Sequence, residues 1–525
     1  MTKTAHQGTL RPHVVIVGAG IGGLAAACRL AHIGADVTVV ERHDAPGGKM
    51  RVVASPAGPV DAGPTVLTLK PVLEDLFAAL GESLDDHLSL KRLPLIARHF
   101  WPDGSRLDLW DDAQKNLAAI HAFAGAGAAR QFAEFSARAR ALFEGLDGPM
   151  MQTASPTPLS LAMHCLSRPK LVAAMGPLST LAKSLTSQFD DPRLAQLFGR
   201  YATYVGGSPY NVPSLLSLIW QAEVAGVWAV QGGMHRLAQG LAKLAEARGA
   251  RFHYNNHVAR IVTNSDGVSG VTLACGAQLS ADHVVFNGDP RALSVGALGA
   301  EVSQVAPQTR DAARSLSADV WAFAARAAGP ELSYHNVFFR ADPKPEFDAL
   351  ANGRRVPDPT LYVCAMDRGG PEPPPNVERF EIIANAPPLP AHEPEVTECK
   401  KRCFHTLAGF GLTFDPIPDG LTTPREFDRL FPASQGSLYG QSPHGLMAAF
   451  RRPTAKTKIP GLYLAGGGTH PGAGVPMALL SARHAVETML SDRTLRWPSR
   501  PTVTRGGMST GSAPTAAAPS VSSRS

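Results

Sequence analysis

The chain has 525 residues, of which 44% are hydrophobic and 18% are charged, and its formal net charge is +6. That much apolar material is enough for a sizeable core and excludes a wholly disordered chain. The positive charge is thin for this length and no Lys/Arg block concentrates it, so we expect no nucleic-acid partner. The six cysteines form no CxxC pair. They predict no metal site, and so few thiols suit a reducing compartment.

We expect neither a signal peptide nor a membrane-spanning helix. Residues 1–12 look like a flexible arm without the apolar core of a signal peptide. No run approaches the ~18 consecutive apolar residues that a spanning helix needs. Residues 496–525 are rich in Ser, Thr, Pro, Ala and Gly, and this composition predicts a disordered tail.

The strongest signal is the segment HVVIVGAGIGGLAAACRLAHIGADVTVVE at residues 13–41, which reads as strand, turn, helix and strand. Gly18, Gly20 and Gly23 have the G-x-G-x-x-G spacing that allows a tight turn, close approach to a pyrophosphate and close helix–strand packing. The helix N-terminus then directs free N–H groups and a positive dipole end at the phosphates. Glu41, at the end of the second strand, suits ribose hydroxyls and disfavours a 2′-phosphate. The pattern predicts a bound dinucleotide.

Further Gly-rich loops indicate that this dinucleotide is FAD. ERHDAPGGKMR places Arg42 and Lys49 close to Glu41, and VDAGPT follows at 60–65. Taken alone, these loops read as ordinary turns with solvated charges. A simple nicotinamide-binding domain has no need of them, whereas a longer, buried flavin dinucleotide does.

The segment GLYLAGGGTHPGAGVPMALLSARHAV near the C-terminal end repeats the order of strand, Gly turn and helix. Gly474 and Val475 open that helix, with Pro476 near its first position, where proline is favoured. Its N-terminus is then able to face the pyrimidine edge of a flavin and to stabilise the reduced anion. Upstream, a strand at Val258 is predicted to lie along the adenine, and VVFNGDP at 284–290 closes the unit.

These motifs predict an α/β fold with a Rossmann-like FAD-binding domain assembled from separated segments. A substrate domain with a mixed sheet and a helical lid or membrane-contact region completes it. The predicted cofactor-binding residues are Gly18, Ala19, Gly20, Gly22, Gly23, Glu41, Arg42, Gly48, Lys49, Gly63, Pro64, Thr65, Val258, Asn287, Gly467, Gly474 and Val475. The predicted boundaries are 13–105, 226–290 and 431–495 for the FAD-binding domain, 106–225 for the mainly helical region and 291–430 for the substrate domain.

Together these segments resemble the bacterial carotenoid desaturases of the phytoene desaturase type, over about residues 13–490. The resemblance rests on GAGIGGLAAACRLAHIGADVTVVERHDAPGGKM, VDAGPT, HFWPDG, YVGGSPY, GGMHRLAQGLAKLAEARGA, NGDP, GSLYGQSPHG and LAGGGTHPGAG. Within that family, residues 93–109 and 427–453 are most similar to the 1-hydroxycarotenoid 3,4-desaturases. One departure is GGG at 466–468, where the family often has GAG.

The resemblance implies an FAD-dependent desaturase that introduces the 3,4 double bond into a 1-hydroxylated acyclic C40 carotenoid. It also implies peripheral membrane binding and a place in the carotenoid biosynthesis of phototrophs. We expect a location on the cytoplasmic side of a membrane. The sequence does not identify the electron acceptor, and oxygen and a quinone both stay open. For the proton that desaturation releases, the candidate bases are His470 and Asp61, and water is the alternative. His470 is otherwise an ordinary loop histidine.

Two segments have open interpretations. Residues 156–187 are apolar and carry Arg168, Lys170 and Lys183, so they suit an interfacial membrane contact or, alternatively, a lid or core helix. Five aromatic residues form the second such set, and they either line a polyene tunnel or belong to the core. This aromatic group comprises Tyr201, Tyr204, Tyr210, Trp220 and Trp228.

Three alternative functions stay open on the sequence. The first is another flavin oxidase of similar architecture, acting on amines or protoporphyrinogen. The second is a non-redox isoprenoid-binding protein similar to the GDP dissociation inhibitors. The third lies inside the resembled family and is a phytoene desaturase or a carotenoid isomerase.

Overall fold

The computed structural model describes residues 11–370, 372–389, 395–418 and 420–492. The tail predicted at 496–525, and the arm predicted at 1–12 except for Arg11 and Pro12, lie outside these ranges.

In chain order the strands are β1 His13–Val17, β2 Asp36–Val40, β3 Val52–Val53, β4 Val60–Asp61, β5 Leu90–Arg92, β6 Leu95–Phe100, β7 Arg106–Trp110, β8 Trp228–Val230, β9 Arg251–His253, β10 Val258–Asn264, β11 Gly267–Leu273, β12 Gln278–Ser280, β13 His283–Phe286, β14 Ser317–Ala328, β15 His335–Phe338, β16 Leu361–Ala365, β17 Glu378–Ala386, β18 Thr413–Asp415 and β19 Leu462–Leu464. The α-helices are α1 Ile21–His32, α2 Lys70–Ala79, α3 Ala113–Leu146, α4 Pro158–Leu166, α5 Pro169–Met175, α6 Leu181–Gln188, α7 Pro192–Gly199, α8 Ile219–Val224, α9 His235–Glu246, α10 Pro290–Ser294, α11 Lys344–Ala351, α12 Val396–Gly409, α13 Pro424–Leu430, α14 Ala448–Arg451 and α15 Val475–Ser491.

A five-stranded parallel sheet, in the order β19-β13-β1-β2-β9, forms the first layer. Its strands come from separated parts of the chain, as the Gly-rich motifs predict. Both faces are covered, as is usual for parallel sheets. Val14 and Ile16 of β1 pack into the core that contains α1, α9 and α15, whereas Val15 faces the core beneath β10 and β11. The α/β fold with a Rossmann-like domain is confirmed.

A seven-stranded mixed sheet, in the order β18-β14-β17-β16-β15-β6-β7, forms the second domain. One face packs on α12 through Cys403, Phe404 and Leu407. The other face is covered by the helical region α3–α8 and by the cavity described below. β6 starts at Leu95, inside the range predicted for the FAD-binding domain, but it pairs in parallel with β15. The substrate sheet therefore begins before residue 105.

The helical region is organised by α3, a long helix whose N-terminus is capped by Asp112 and whose path is kinked at Gly125 (φ 85°). Its C-terminal end packs against α4 and α5 through Leu146, Cys165 and Leu171. Among the described helices, none is both long enough and apolar enough to cross a bilayer.

Candidate active site

The glycine loop between β1 and α1 is closely packed. The Gly18 N–H donates to the carbonyl of Val40 (2.8 Å), and Gly18 has a φ of 98°, which favours glycine. A Cβ at Gly23 would lie 2.1 Å from the carbonyl oxygen of Gly18, and one at Gly22 would lie 2.8 Å from Cα of Gly466. Close packing therefore requires both glycines. At Gly20 a Cβ would meet only the amide nitrogen of Asn287, at 3.0 Å.

Glu41 lies at the end of β2 with its carboxylate buried against the glycine loop. One oxygen accepts a hydrogen bond from the Ala19 N–H (2.7 Å), and the other accepts one from the His43 N–H (2.9 Å). Each carboxylate oxygen keeps a further lone pair. Because Glu41 also lines the cavity, these lone pairs are available to ligand hydroxyl groups.

Replacing Glu41 by Ala is expected to weaken FAD binding about 10- to 100-fold, because it removes a buried acceptor for ribose hydroxyls. Glu41→Gln keeps one carbonyl acceptor, but its amide NH₂ group repels one backbone N–H. We expect its FAD affinity to lie between that of the wild type and that of Glu41→Ala. Flavin fluorescence during titration of the apoprotein measures both. Unchanged FAD affinity in Glu41→Ala would contradict the ribose contact.

A second helix N-terminus faces the same cavity. α15 begins at Val475 after Gly474, whose φ is 112°, and Gly474 and Val475 line the cavity together with Gly467. The N-terminus of α1 lies beside it, because Asn287 donates to the carbonyl of Gly18 (3.1 Å) and its side chain lies next to Gly466. Two positive helix ends thus converge on one space, which favours a ligand with anionic groups.

Two buried cations bind backbone carbonyls around the cavity, and one of them, Arg452, holds the C-terminal Gly loop. Arg452 donates to the carbonyls of Gly467 (3.0 Å), Tyr439 (3.0 Å) and Gln441 (3.1 Å), and burial lowers its pKa to about 10. Lys49 donates to the carbonyl of Leu438 (2.5 Å), and burial lowers its pKa to about 8. Both side chains line the cavity, and a bound anion would favour their charged forms.

One continuous cavity of about 1040 Å³ joins these loops to the substrate domain. All the predicted cofactor-binding residues line it except Ala19 and Gly23, which support the loop from behind. Its far part is apolar and is formed by the helical region; representative residues are Phe143, Leu146, Met150, Leu161, Met175 and Ile219. The structure therefore places the predicted cofactor loops and an apolar chamber in one space.

The two candidate bases have different environments. His470 lines the cavity, and its Nε2 donates to the carbonyl of Thr153 (2.9 Å), which leaves Nδ1 as the acceptor. Burial lowers the pKa of His470 to about 4, so the ring is neutral at physiological pH. Asp61 does not line the cavity. Its carboxylate accepts the N–H groups of Met234 (2.6 Å) and His235 (3.2 Å) at the start of α9.

Most of the aromatic group belongs to the core. Trp220 and Tyr201 are buried among Phe132, Phe135 and Phe198. Tyr204 alone of the five rings lines the cavity, while Trp228 packs on the core of the first domain and Tyr210 contacts Phe347. The tunnel interpretation therefore applies to Tyr204, core packing explains Tyr201, Trp220 and Trp228, and Tyr210 is a half-buried ring outside the core clusters.

A polar cluster that the sequence analysis did not identify lies where the substrate sheet meets the cofactor loops. Tyr362 of β16 is 2.7 Å from Thr65 Oγ1 and 2.7 Å from Nδ1 of His335. The Arg200 guanidinium lies over the Tyr204 and Tyr362 rings, at 5.2 and 5.6 Å from their centroids. The alternation of side chains along β16 indicates which of its residues share a sheet face with Tyr362. No sequence motif marks the residues of this polar cluster as functional.

The fold and the cavity define a flavin-dependent oxidoreductase of the α/β type. The chain belongs to the family of flavin containing amine oxidoreductases, whose sequence profile matches residues 21–490. A solved structure of similar fold is the cyclohexylamine oxidase from Brevibacterium oxydans, with a TM-score of 0.55 and 18% identity over 92% of this chain and 99% of that one.

Curated relatives confirm the resemblance to carotenoid desaturases. The chain is 54% identical to the hydroxyneurosporene desaturase of Cereibacter sphaeroides over 488 residues, which cover 92% of this chain and 99% of the relative. It is 44% identical to the protein of the same name from Rubrivivax gelatinosus over 521 residues, covering 96% and 98%. These alignments span both domains and the helical region.

Proposed function

We propose that the protein uses FAD to introduce the 3,4 double bond into a 1-hydroxylated acyclic carotenoid, taken from a membrane surface. The observation that carries the proposal is the single cavity that joins the predicted cofactor loops to an apolar chamber. The names of the full-length relatives agree with this substrate class.

The residues present fit FAD. Gly18 and Gly20 leave space that a Cβ would reduce beside a pyrophosphate, and Glu41 offers acceptors to the ribose. The α15 N-terminus and Lys49 supply positive potential at the other Gly loop. When bound, FAD supplies a hydride acceptor, the substrate loses its second hydrogen as a proton, and oxygen or a quinone takes the electrons.

The protein's own contribution is positioning and the exclusion of water. The apolar chamber orders a polyene whose end reaches the cofactor loops, and such positioning supplies much of a rate enhancement. His470, which is neutral and lines the cavity, is our candidate acceptor for the released proton. Asp61 is a weaker candidate because it caps α9 away from the cavity.

The chamber ends at an exposed apolar face that suits a membrane surface. Leu159, Met163 and Leu166 recur at helical spacing on α4 and are 72%, 61% and 75% exposed. Cys165, on another side of the same helix, lines the cavity. Leu178, which is 98% exposed, extends the patch beyond α5. An apolar patch at the mouth of an apolar chamber offers an insoluble substrate a path that avoids water.

Product analysis tests the proposal. FAD-loaded protein is incubated in air with liposomes that carry 1-hydroxyneurosporene, and the extracted carotenoid is examined by mass spectrometry and absorbance. We expect a mass loss of two hydrogens and a red-shifted polyene spectrum. Unchanged mass would indicate an isomerase, and turnover of phytoene alone would indicate a phytoene desaturase.

A further inference from the structure

Glu381 on β17 is a buried carboxyl group with no part in the proposed positioning or proton transfer. It is fully buried and lines the cavity. Neither of its oxygens has a hydrogen-bond partner among the described residues. Buried polar groups without partners are rare in folded proteins. A side chain of this kind that faces a ligand cavity points to a polar group on the ligand.

The position of Glu381 is the border between the cofactor loops and the substrate sheet. In register, Glu381 lies opposite Cys364 of β16 and Ala322 of β14. Alternation puts it on the same sheet face as Tyr362, which contacts Thr65 of the predicted flavin loop. The Gly63 N–H is close enough to Glu381 to affect its pKa.

The protonation state of Glu381 suits recognition of an alcohol. Burial, followed by the nearby Asp61 carboxylate, raises its pKa well above the usual range, while Arg51 and the Gly63 N–H oppose that rise. A neutral carboxyl group offers one O–H donor and one carbonyl acceptor. A hydroxyl group offers the complementary acceptor and donor.

We propose that Glu381 binds the 1-hydroxyl group of the carotenoid and thereby selects hydroxylated over hydrocarbon end groups. The inference rests on the proposed function, because in that substrate only C1 and C2 separate the hydroxyl oxygen from C3. The partner of the hydroxyl must therefore lie beside the bond that is oxidised, where the cofactor loops meet the substrate sheet. Glu381 lies at that border.

Ser317 is the alternative to Glu381 as the cavity residue that binds the 1-hydroxyl group. Its hydroxyl also lacks a hydrogen-bond partner among the described residues, and it also lines the cavity. Ser317 pairs with Ala386, five residues along β17 from Glu381, which corresponds to roughly 17 Å of strand. It is therefore far from the point where Thr65 joins the two domains.

The test compares Glu381→Leu, Glu381→Gln and Ser317→Ala with the wild type, using 1-hydroxyneurosporene and neurosporene in liposomes. Binding is followed by the polyene absorbance of FAD-loaded protein under conditions without turnover, and kcat/KM by product formation. For Glu381→Leu we expect about a 10- to 100-fold loss of affinity and kcat/KM for the hydroxylated carotenoid, with no loss for neurosporene. Glu381→Gln, whose amide both donates and accepts, is expected to stay within a few-fold of the wild type.

Three results would overturn the inference. They are an equal loss with both carotenoids in Glu381→Leu, the same selective loss in Ser317→Ala, or a fall in kcat with unchanged binding in Glu381→Gln. The last result would make Glu381 a proton acceptor instead. If the wild type binds hydroxyneurosporene with a preference but oxidises neither carotenoid, the proposed function fails while the binding role stands.

A stability measurement checks that the variants report on this carboxyl group. The pKa of Glu381 is raised in the folded state, so the stability that its neutral carboxyl group contributes is fully present below the unfolded-state pKa of about 4.3. That stability is lost as the pH rises from there towards the folded-state pKa. Glu381→Gln is therefore expected to raise Tm relative to the wild type more at pH 8 than at pH 5. A gain in Tm that is equal at pH 5 and pH 8 would contradict a neutral carboxyl group at Glu381. The titratable or charged groups that affect Glu381, or that are themselves affected by it, are Arg51, Asp61, Tyr362, Cys364 and Tyr439.

Discussion

Gly20→Ala is expected to yield a folded protein that no longer retains FAD, with affinity at least about 100-fold lower than the wild type. The backbone at Gly20 (φ −70°, ψ 169°) accommodates alanine, and the new Cβ meets only Asn287. The added methyl group nevertheless occupies the surface that the pyrophosphate approaches. The ratio of flavin to protein absorbance after purification measures the loss, and circular dichroism reports on the fold.

Two further glycine variants provide the controls. Gly23→Ala places Cβ 2.1 Å from the Gly18 carbonyl oxygen, so we expect it to fail in folding rather than in binding alone. Gly127→Ala lies in α3, where a Cβ meets nothing within 4 Å, so FAD binding is expected to be unchanged. Full FAD occupancy in Gly20→Ala would contradict the assignment of this loop.

Replacing Leu159, Met163 and Leu166 together by Gln is expected to abolish stable binding to liposomes. Each side chain contributes of the order of 1.5 kcal/mol when it passes from water into an apolar environment. The sum of about 4.5 kcal/mol corresponds to a partition coefficient that is roughly two thousandfold lower. Flotation of the protein with liposomes on a density gradient measures it.

The matched control changes exposed apolar side chains on other elements. Val396 on α12 and Leu490 on α15 are 43% and 41% exposed, and Val396→Gln with Leu490→Gln is expected to leave flotation unchanged. The α4 variant is also expected to retain FAD, because the exposed face of α4 is separate from the cofactor loops. Equal flotation of both variants with the wild type would contradict membrane contact through α4.

The parts of the site that depend on backbone geometry could be predicted from the sequence. Gly18, Gly20 and Glu41 have spacings that only a strand–turn–helix–strand unit explains, and the structure places them as that unit requires. Leu237, Leu241 and Leu244 have the spacing of one helix face, and the structure has a helix there, His235–Glu246.

The parts that depend on contacts between distant segments could not be predicted. Glu381 is one carboxyl group in an otherwise ordinary alternating strand, and only the arrangement of β16, β17 and the Thr65 loop shows that it faces a cavity. β6 pairs locally with β7, but it joins the substrate sheet only through β15, more than two hundred residues away. The local sequence therefore does not show to which domain this strand pair belongs. Trp220 and Tyr204 both belong to the predicted aromatic group, yet Trp220 is in the core and Tyr204 lines the cavity.

The most direct test of the central claim is anaerobic mixing of the FAD-loaded protein with liposomes that carry either 1-hydroxyneurosporene or phytoene, while the flavin and polyene spectra are recorded together. Our account predicts that the flavin band bleaches as the polyene spectrum shifts to the red, with the hydroxylated carotenoid only. Bleaching with phytoene alone would contradict the substrate assignment. Protein that holds FAD but is reduced by neither carotenoid would contradict desaturation itself.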